Sequence, residues 1–230
     1  MPHKPRMTEA EAAKRLLHQE RCYEEHLNQL KEKDATINFR GRKLIVSPNV
    51  LAPASWNYNM LAQTVLKEVK ETDRVLDMGT GSGIQAILAA SKSTNVIAVD
   101  VNPFAVKYAK LNVKLNGLSS RVKVVKSDLF KNVKGKFDLI IFDPPFRWTK
   151  PRDAWEISSA DEDYRTMRTF FAGVKKYLNE GGRIVMHFGT SGDVAYFDYL
   201  IKKNGFRIEP IMKSRKNRRG WIYFTYRLTF

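Results

Sequence analysis

The 230-residue sequence has one cysteine, Cys22, so no disulfide can close within the chain, which fits a reducing, cytoplasmic setting. It has no run of 18 apolar residues, and the opening MPHKPRMTEAEAAKR lacks the apolar centre of a signal peptide, so neither membrane insertion nor export is expected. The four histidines, His3, His18, His26 and His187, show no ligand spacing, and no metal site is expected. Acids are outnumbered, 24 Asp and Glu against 40 Lys and Arg, for a net charge of +16. Residues 1–35 hold seven charges of each sign, so the whole excess falls on 36–230. A basic globular body attracts polyanions, which makes nucleic acid the first partner to consider, with general surface solubility as the plainer account.

Three stretches of different character follow one another. From Thr8 to Asp34 there is no Pro or Gly, and Ala13, Leu16, Leu17, Tyr23, Leu27 and Leu30 recur at roughly helical spacing, which predicts an N-terminal helical extension over 1–35. Residues 36–54 read as a hairpin and linker, with Asn38–Arg40 pairing Lys43–Val46 about Gly41. From Ser55 to residue 230, strand-like runs (RVLDMG, NVIAVD, RVKVVKS, FDLIIFD, GRIVMHF) alternate with helix-like ones. That alternation predicts an α/β, Rossmann-like doubly wound sheet, mostly parallel, with helices on both faces. FRIEPIMK and GWIYFTYRLTF should close it as a C-terminal antiparallel hairpin. Ser159 and Glu162 have capping-box spacing, which predicts a helix starting there and running through ADEDYRTMRTFFAGVKKYLNE, with the nearby acids structural.

Two groups of residues carry chemistry. In VLDMGTGSG, Gly79, Thr80, Gly81 and Gly83 turn the chain from a strand into a helix near Ile84, leaving room for a ligand beside free backbone N–H groups. The next strand ends at Asp100, placed to accept hydrogen bonds from ribose hydroxyls, with Val101 beside it. A dinucleotide fingerprint needs its third glycine at 84, which is Ile84, and Asp77 beside the loop repels a pyrophosphate but attracts an ammonium. Further on, IIFDPPFRW ends a strand with Asp143, Pro144, Pro145 and Phe146. The prolines stiffen the turn and remove donors. A carboxylate, a rigid carbonyl and an aromatic plate fit a planar group bearing NH₂, whose two hydrogens are held while its plane is stacked.

The run VLDMGTGSG, followed in order by AVDVNPFAV, KSDLF and FDPPF, resembles the class I S-adenosylmethionine-dependent methyltransferases over roughly residues 50–190. The resemblance implies S-adenosyl-L-methionine as cofactor, its methionine part held by Asp77 and Gly79 to Gly83, its ribose by Asp100, and its adenine by Asp128 and the backbone near Leu129. FDPPF is similar to the (D/N)PP(Y/F) signature of amino-group methyltransferases, which act on adenine, cytosine, guanine or the glutamine amide. Phe39, Gly41, Val46, Val50 and Pro53 resemble the hairpin of the HemK-type release-factor glutamine methyltransferases, although Ala54–Tyr58 departs from the Arg and acidic pair found there.

The expected acceptor is an exocyclic amine of ribosomal or transfer RNA, possible also on the ribosome, as in the small-domain ribosomal RNA methyltransferases. Arg215, Lys216, Arg218 and Arg219 beside Trp221, with Arg147 and Trp148 after the DPPF motif, are the expected substrate contacts. A protein glutamine is the alternative acceptor. A non-catalytic RNA- or cofactor-binding subunit is a third reading, from a different class.

Overall fold

The computed structural model describes residues 3–29, 34–53 and 56–230, and the side chains of 29 and 56–58 are not among those described. Leu30, the Ser55 helix start and the side chains of Ala54–Tyr58 fall outside that set.

A long helix, α1 (Glu9–Gln29), is followed by a two-stranded antiparallel hairpin, β1 (Ala35–Phe39) and β2 (Arg42–Val46). The hairpin turns at Arg40 and Gly41, both with positive φ (51° and 75°), the pair of conformations a two-residue turn needs to match strand twist. After α2 (Trp56–Glu68), strands and helices alternate: β3 (Arg74–Met78), α3 (Ile84–Ala89), β4 (Asn95–Asp100), α4 (Pro103–Leu115), β5 (Val122–Lys126) and β6 (Phe137–Phe142). The chain then runs through α5 (Arg165–Gly173), β7 (Leu178–Gly189), α6 (Val194–Lys203), β8 (Arg207–Lys213) and β9 (Tyr223–Thr229).

Seven strands form one sheet in the order β5-β4-β3-β6-β7-β9-β8. The first five are parallel, while β9 runs antiparallel to β7 and pairs β8 as the terminal hairpin. Period-two alternation divides the core between the faces. Leu76, Ile140, Phe142, Ile184 and Met186 pack into the layer with α5 and α6, while Val75, Leu139, Ile141 and Val185 pack into the layer that holds Leu61, Val65 and Ile87. This matches the expected fold class, including the parallel body and the antiparallel end.

Two local expectations are corrected. The Ser159 hydroxyl does not cap a helix; it donates to the Glu156 carbonyl (3.3 Å), while the Asp161 carboxylate accepts from the Thr166 and Met167 N–H groups (2.8 and 3.0 Å). Ser159 is held by the loop instead: its carbonyl accepts from Arg147 N–H, and Asp161 N–H donates to the Arg147 carbonyl. Asp163 and Tyr164 then take left-handed conformations (φ 56° and 53°), so regular helix starts only at Arg165. The helix also ends early, at Gly173, and a short 3₁₀ turn over Val174–Tyr177 leads into β7 ahead of the GRIVMHF run.

Candidate active site

The carboxyl ends of β3, β4, β6 and β7 open into a cleft of about 1050 Å³. Parallel strands put their C-terminal loops on one edge, so residues distant in sequence meet there. The glycine loop forms one wall. Gly79 and Gly81 have φ of 67° and 55°, and a Cβ on Gly83 would sit 3.1 Å from the α4 backbone at Ala109, so this turn needs glycine for both conformation and packing. Thr80 N–H donates to the Val99 carbonyl (2.9 Å), locking the loop onto β4.

Three carboxylates line this end of the cleft. Asp77 is buried and accepts from Thr80 Oγ1 (2.5 Å) and Ala86 N–H (3.0 Å); burial, reinforced by the charge of Asp100, outweighs those donors and pushes it up to about 7. Asp100 accepts from Gly81 N–H and Asn102 N–H, both at 2.9 Å, and burial raises it as well. Asp143 is half-buried, accepts no hydrogen bond from any described residue, and is pushed up to about 8 by burial and then by Asp77. A carboxylate without a donor beside two others awaits a cation or an N–H group. Val101 (42% exposed) and Asp128, also exposed, line the next part of the cleft with Leu129, which has a φ of 46°.

Beyond Asp143, Pro144 and Pro145 are buried, and Phe146 lines the cleft while packing against Phe188 (ring centroids 4.8 Å), His187 (5.8 Å) and Tyr223 (6.1 Å). The loop is pinned at this point. Tyr164 donates its hydroxyl to the Phe146 carbonyl (2.6 Å) and accepts from Asp193 N–H (2.9 Å). Burial drives His187 down to about 4 despite an approach from the Phe224 backbone, so the ring is neutral at pH 7.

The structure gives α1 a place that the sequence did not reveal. His18, Cys22, Glu25 and His26 form one wall of the cleft. The helix is held by the aromatic and basic residues predicted to touch substrate. His18 stacks on Trp221 (5.3 Å), which is buried, with Lys14 and Arg15 also over its ring. Arg219 pairs with Glu25 (2.5 Å), His26 stacks on Trp155 (4.0 Å, nearly parallel), and Arg152 bridges Glu20 and Glu156.

Trp221 is therefore part of a helix-docking site and not an exposed stacking platform. Trp148 packs near His3 and Tyr164 outside the cleft lining, and Arg215, Lys216 and Arg218 are exposed on the loop away from it, whereas Arg147 and Arg219 line it. Sequence reasoning gave His187 no part in the site, although a polar residue within the buried GRIVMHF run was an available signal.

Residues 57–191 match the family described as Methyltransferase small domain. A provisionally named protein N5-glutamine methyltransferase of Methanocaldococcus jannaschii is 33% identical over 181 residues, covering 75% of this chain and 89% of that one. The release factor glutamine methyltransferase of Agrobacterium fabrum is 33% identical over 199 residues, covering 76% and 67%. Two further curated relatives are longer, and this chain spans 32% and 54% of them. Among solved structures, the tRNA m1G37 methyltransferase of M. jannaschii superposes with a TM-score of 0.64 at 21% identity, over 86% of this chain and 57% of that one, a likeness of fold.

Proposed function

Because the chain belongs to the methyltransferase small domain family and is an S-adenosylmethionine-dependent methyltransferase, we propose that it methylates the nitrogen of a planar NH₂ group, chiefly an exocyclic base amine in RNA. The observation that carries the reaction type is Asp143, a half-buried carboxylate with no donor among the described residues, placed on the same sheet edge as the glycine loop.

The cleft fits the cofactor on its own chemistry. Asp77, Asp100 and Asp143 are acids that ionise when a molecule bearing a sulfonium and an ammonium binds beside them, and the glycine loop leaves its backbone approachable. Asp77 and Gly79 to Gly83 would hold the methionine part, Asp100 the ribose, and Val101, Asp128 and Leu129 the adenine. Bound there, the cofactor supplies an electrophilic methyl group.

The chain's own residues do the rest. A nucleobase amine is a weak nucleophile because its lone pair is delocalised. Asp143 and the Pro144 carbonyl accept its two N–H groups, which favours the pyramidal nitrogen of the transition state. Phe146 and the stiff Pro-Pro turn hold the acceptor in line, and the proton shed by the methylated nitrogen passes to Asp143 or water. Exposed Arg215, Lys216 and Arg218, with Lys150 at the mouth, supply a positive approach for a polyanion.

A protein glutamine is the second reading, favoured by the names of the two sequence relatives above. The experiment is transfer of labelled methyl from adenosylmethionine into unmodified cell extract, with the product digested separately by ribonuclease and protease. Label released by ribonuclease is expected. Label released only by protease would replace the RNA acceptor with the glutamine one.

A further inference from the structure

Arg147 is the next residue after the DPPF motif, and its charge is not neutralised. It is 8% exposed, lines the cleft, and has no carboxylate within 4 Å among the described residues. Its Nε is shut off from solvent with no acceptor, and only its backbone N–H and C=O are engaged. Arg183, equally buried, is different: it holds Asp73 and approaches Glu68. An arginine cannot shed its proton, so an unpaired buried guanidinium is costly unless something outside the chain completes it.

The surroundings say what that something is. The groups acting most on the Arg147 charge are Cys22, Tyr223 and Tyr164, none of them a carboxylate. Arg219, though paired with Glu25, also lines the cleft, and burial together with the charges of these two arginines pushes His18 down to about 4. Asn217, at the root of the basic loop, also faces the cleft. The cleft lining therefore combines Asp77, Asp100 and Asp143 at the strand ends with a buried, unpaired guanidinium just beyond Phe146. A cationic cofactor answers the acids, which leaves Arg147 for an anion on the acceptor.

We propose that Arg147, assisted at the rim by Arg219, binds the backbone phosphate of a nucleotide adjoining the one that is methylated. The guanidinium fork matches two phosphate oxygens, and its fixed place just beyond Phe146 would set which nucleotide reaches Asp143. The site is thus a specificity device for a single-stranded or flipped-out segment, because a base stacked in a duplex cannot reach Asp143 at the strand ends. This assignment rests on the RNA reading above.

The test compares wild type, Arg147→Lys and Arg147→Met on a short oligoribonucleotide containing the labelled site and on the same sequence with a neutral methylphosphonate backbone. Arg147→Met should raise the RNA KM about ten- to a hundredfold, lower the salt dependence of binding by about 0.7 in slope, and erase the preference for the charged backbone. Arg147→Lys should recover part of the affinity. The Kd for adenosylmethionine should stay constant, and the Tm of Arg147→Met should hold or rise, since a costly buried charge is gone. A parallel loss of adenosylmethionine affinity would assign Arg147 to the cofactor's carboxylate and overturn the proposal, and a drop in Tm would make it a scaffold residue. Equal RNA methylation by wild type and Arg147→Met would remove the phosphate site while leaving the RNA reading intact. A wild type that labels protein alone would remove both.

Discussion

At the scale of single residues, the acids of the cleft make the most direct predictions. Burial raises Asp77 to about 7 and Asp143 to about 8, whereas in an unfolded chain both ionise near 3.8. Between those values the folded state binds more protons, so stability of the cofactor-free protein should fall as pH rises from 5 to 8. Binding of a cation reverses the preference, because it favours the ionised acids. Adenosylmethionine affinity should therefore increase over the same interval with release of protons, visible in calorimetry as a heat that depends on the buffer. An affinity flat in pH would mean that neither acid meets the cation. Asp143→Asn keeps a carbonyl acceptor and should retain part of the turnover with a weaker pH dependence. Asp143→Ala should lose at least a hundredfold in kcat, roughly the cost of deleting one such transition-state contact, while still binding cofactor. Full activity of Asp143→Ala in the labelling assay would displace it from the chemistry. These acids were legible in the sequence because each one ends a strand of a parallel sheet, and topology alone sends such residues to a common edge. Arg147 was legible only as a basic residue near the motif, since nothing in the run FRW states that its neighbours are neutral.

At the scale of elements, strands and crossovers followed from period-two apolar patterning, and the exceptions came from local hydrogen bonding. Ser159 and Glu162 have the spacing of a capping box, but the parallel bridge between Arg147 and Ala160 fixes that segment before a helix can begin. Asp161 takes over as cap. Asp161→Ala should destabilise the protein by about 1 kcal/mol and lower Tm by roughly 2–4 °C, measured by thermal unfolding. The apolar spacing of α1 allowed a helix packed on the core, but where it docks was not legible. A loop rich in Arg, Lys and Trp looks the same whether it meets a nucleic acid or a helix nearly two hundred residues earlier in the chain, as Arg219 meets Glu25 and Cys22. Cys22 reports on that docking. It is half-buried with its thiol pushed up by burial, so an aromatic disulfide reagent should modify it slowly at pH 7. Glu25→Lys or Trp155→Ala should accelerate the reaction if α1 loosens, and identical rates would mean that the helix is held by other contacts.

At the scale of the whole molecule, the charge of +16 is carried largely by exposed Lys and Arg, and the acidic cluster sits recessed within a positive body. Such a field draws a polyanion toward the surface and favours a small cation inside. Replacing Arg215, Lys216 and Arg218 together by Ala should reduce the salt slope of RNA binding by about two, at roughly 0.7 per contact to a single strand, with adenosylmethionine binding unchanged. An unchanged slope in a filter-binding titration would confine these three charges to solubility. The wall that α1 provides also has a consequence in time. α1 precedes Trp221, which receives His18, by most of the described chain. A nascent chain that has not yet reached the β8–β9 hairpin would own a cofactor loop and a DPPF turn with one side of the cleft missing. Closure of the cleft is thus deferred until Trp221 has been made, and a chain broken off before it would lack that wall.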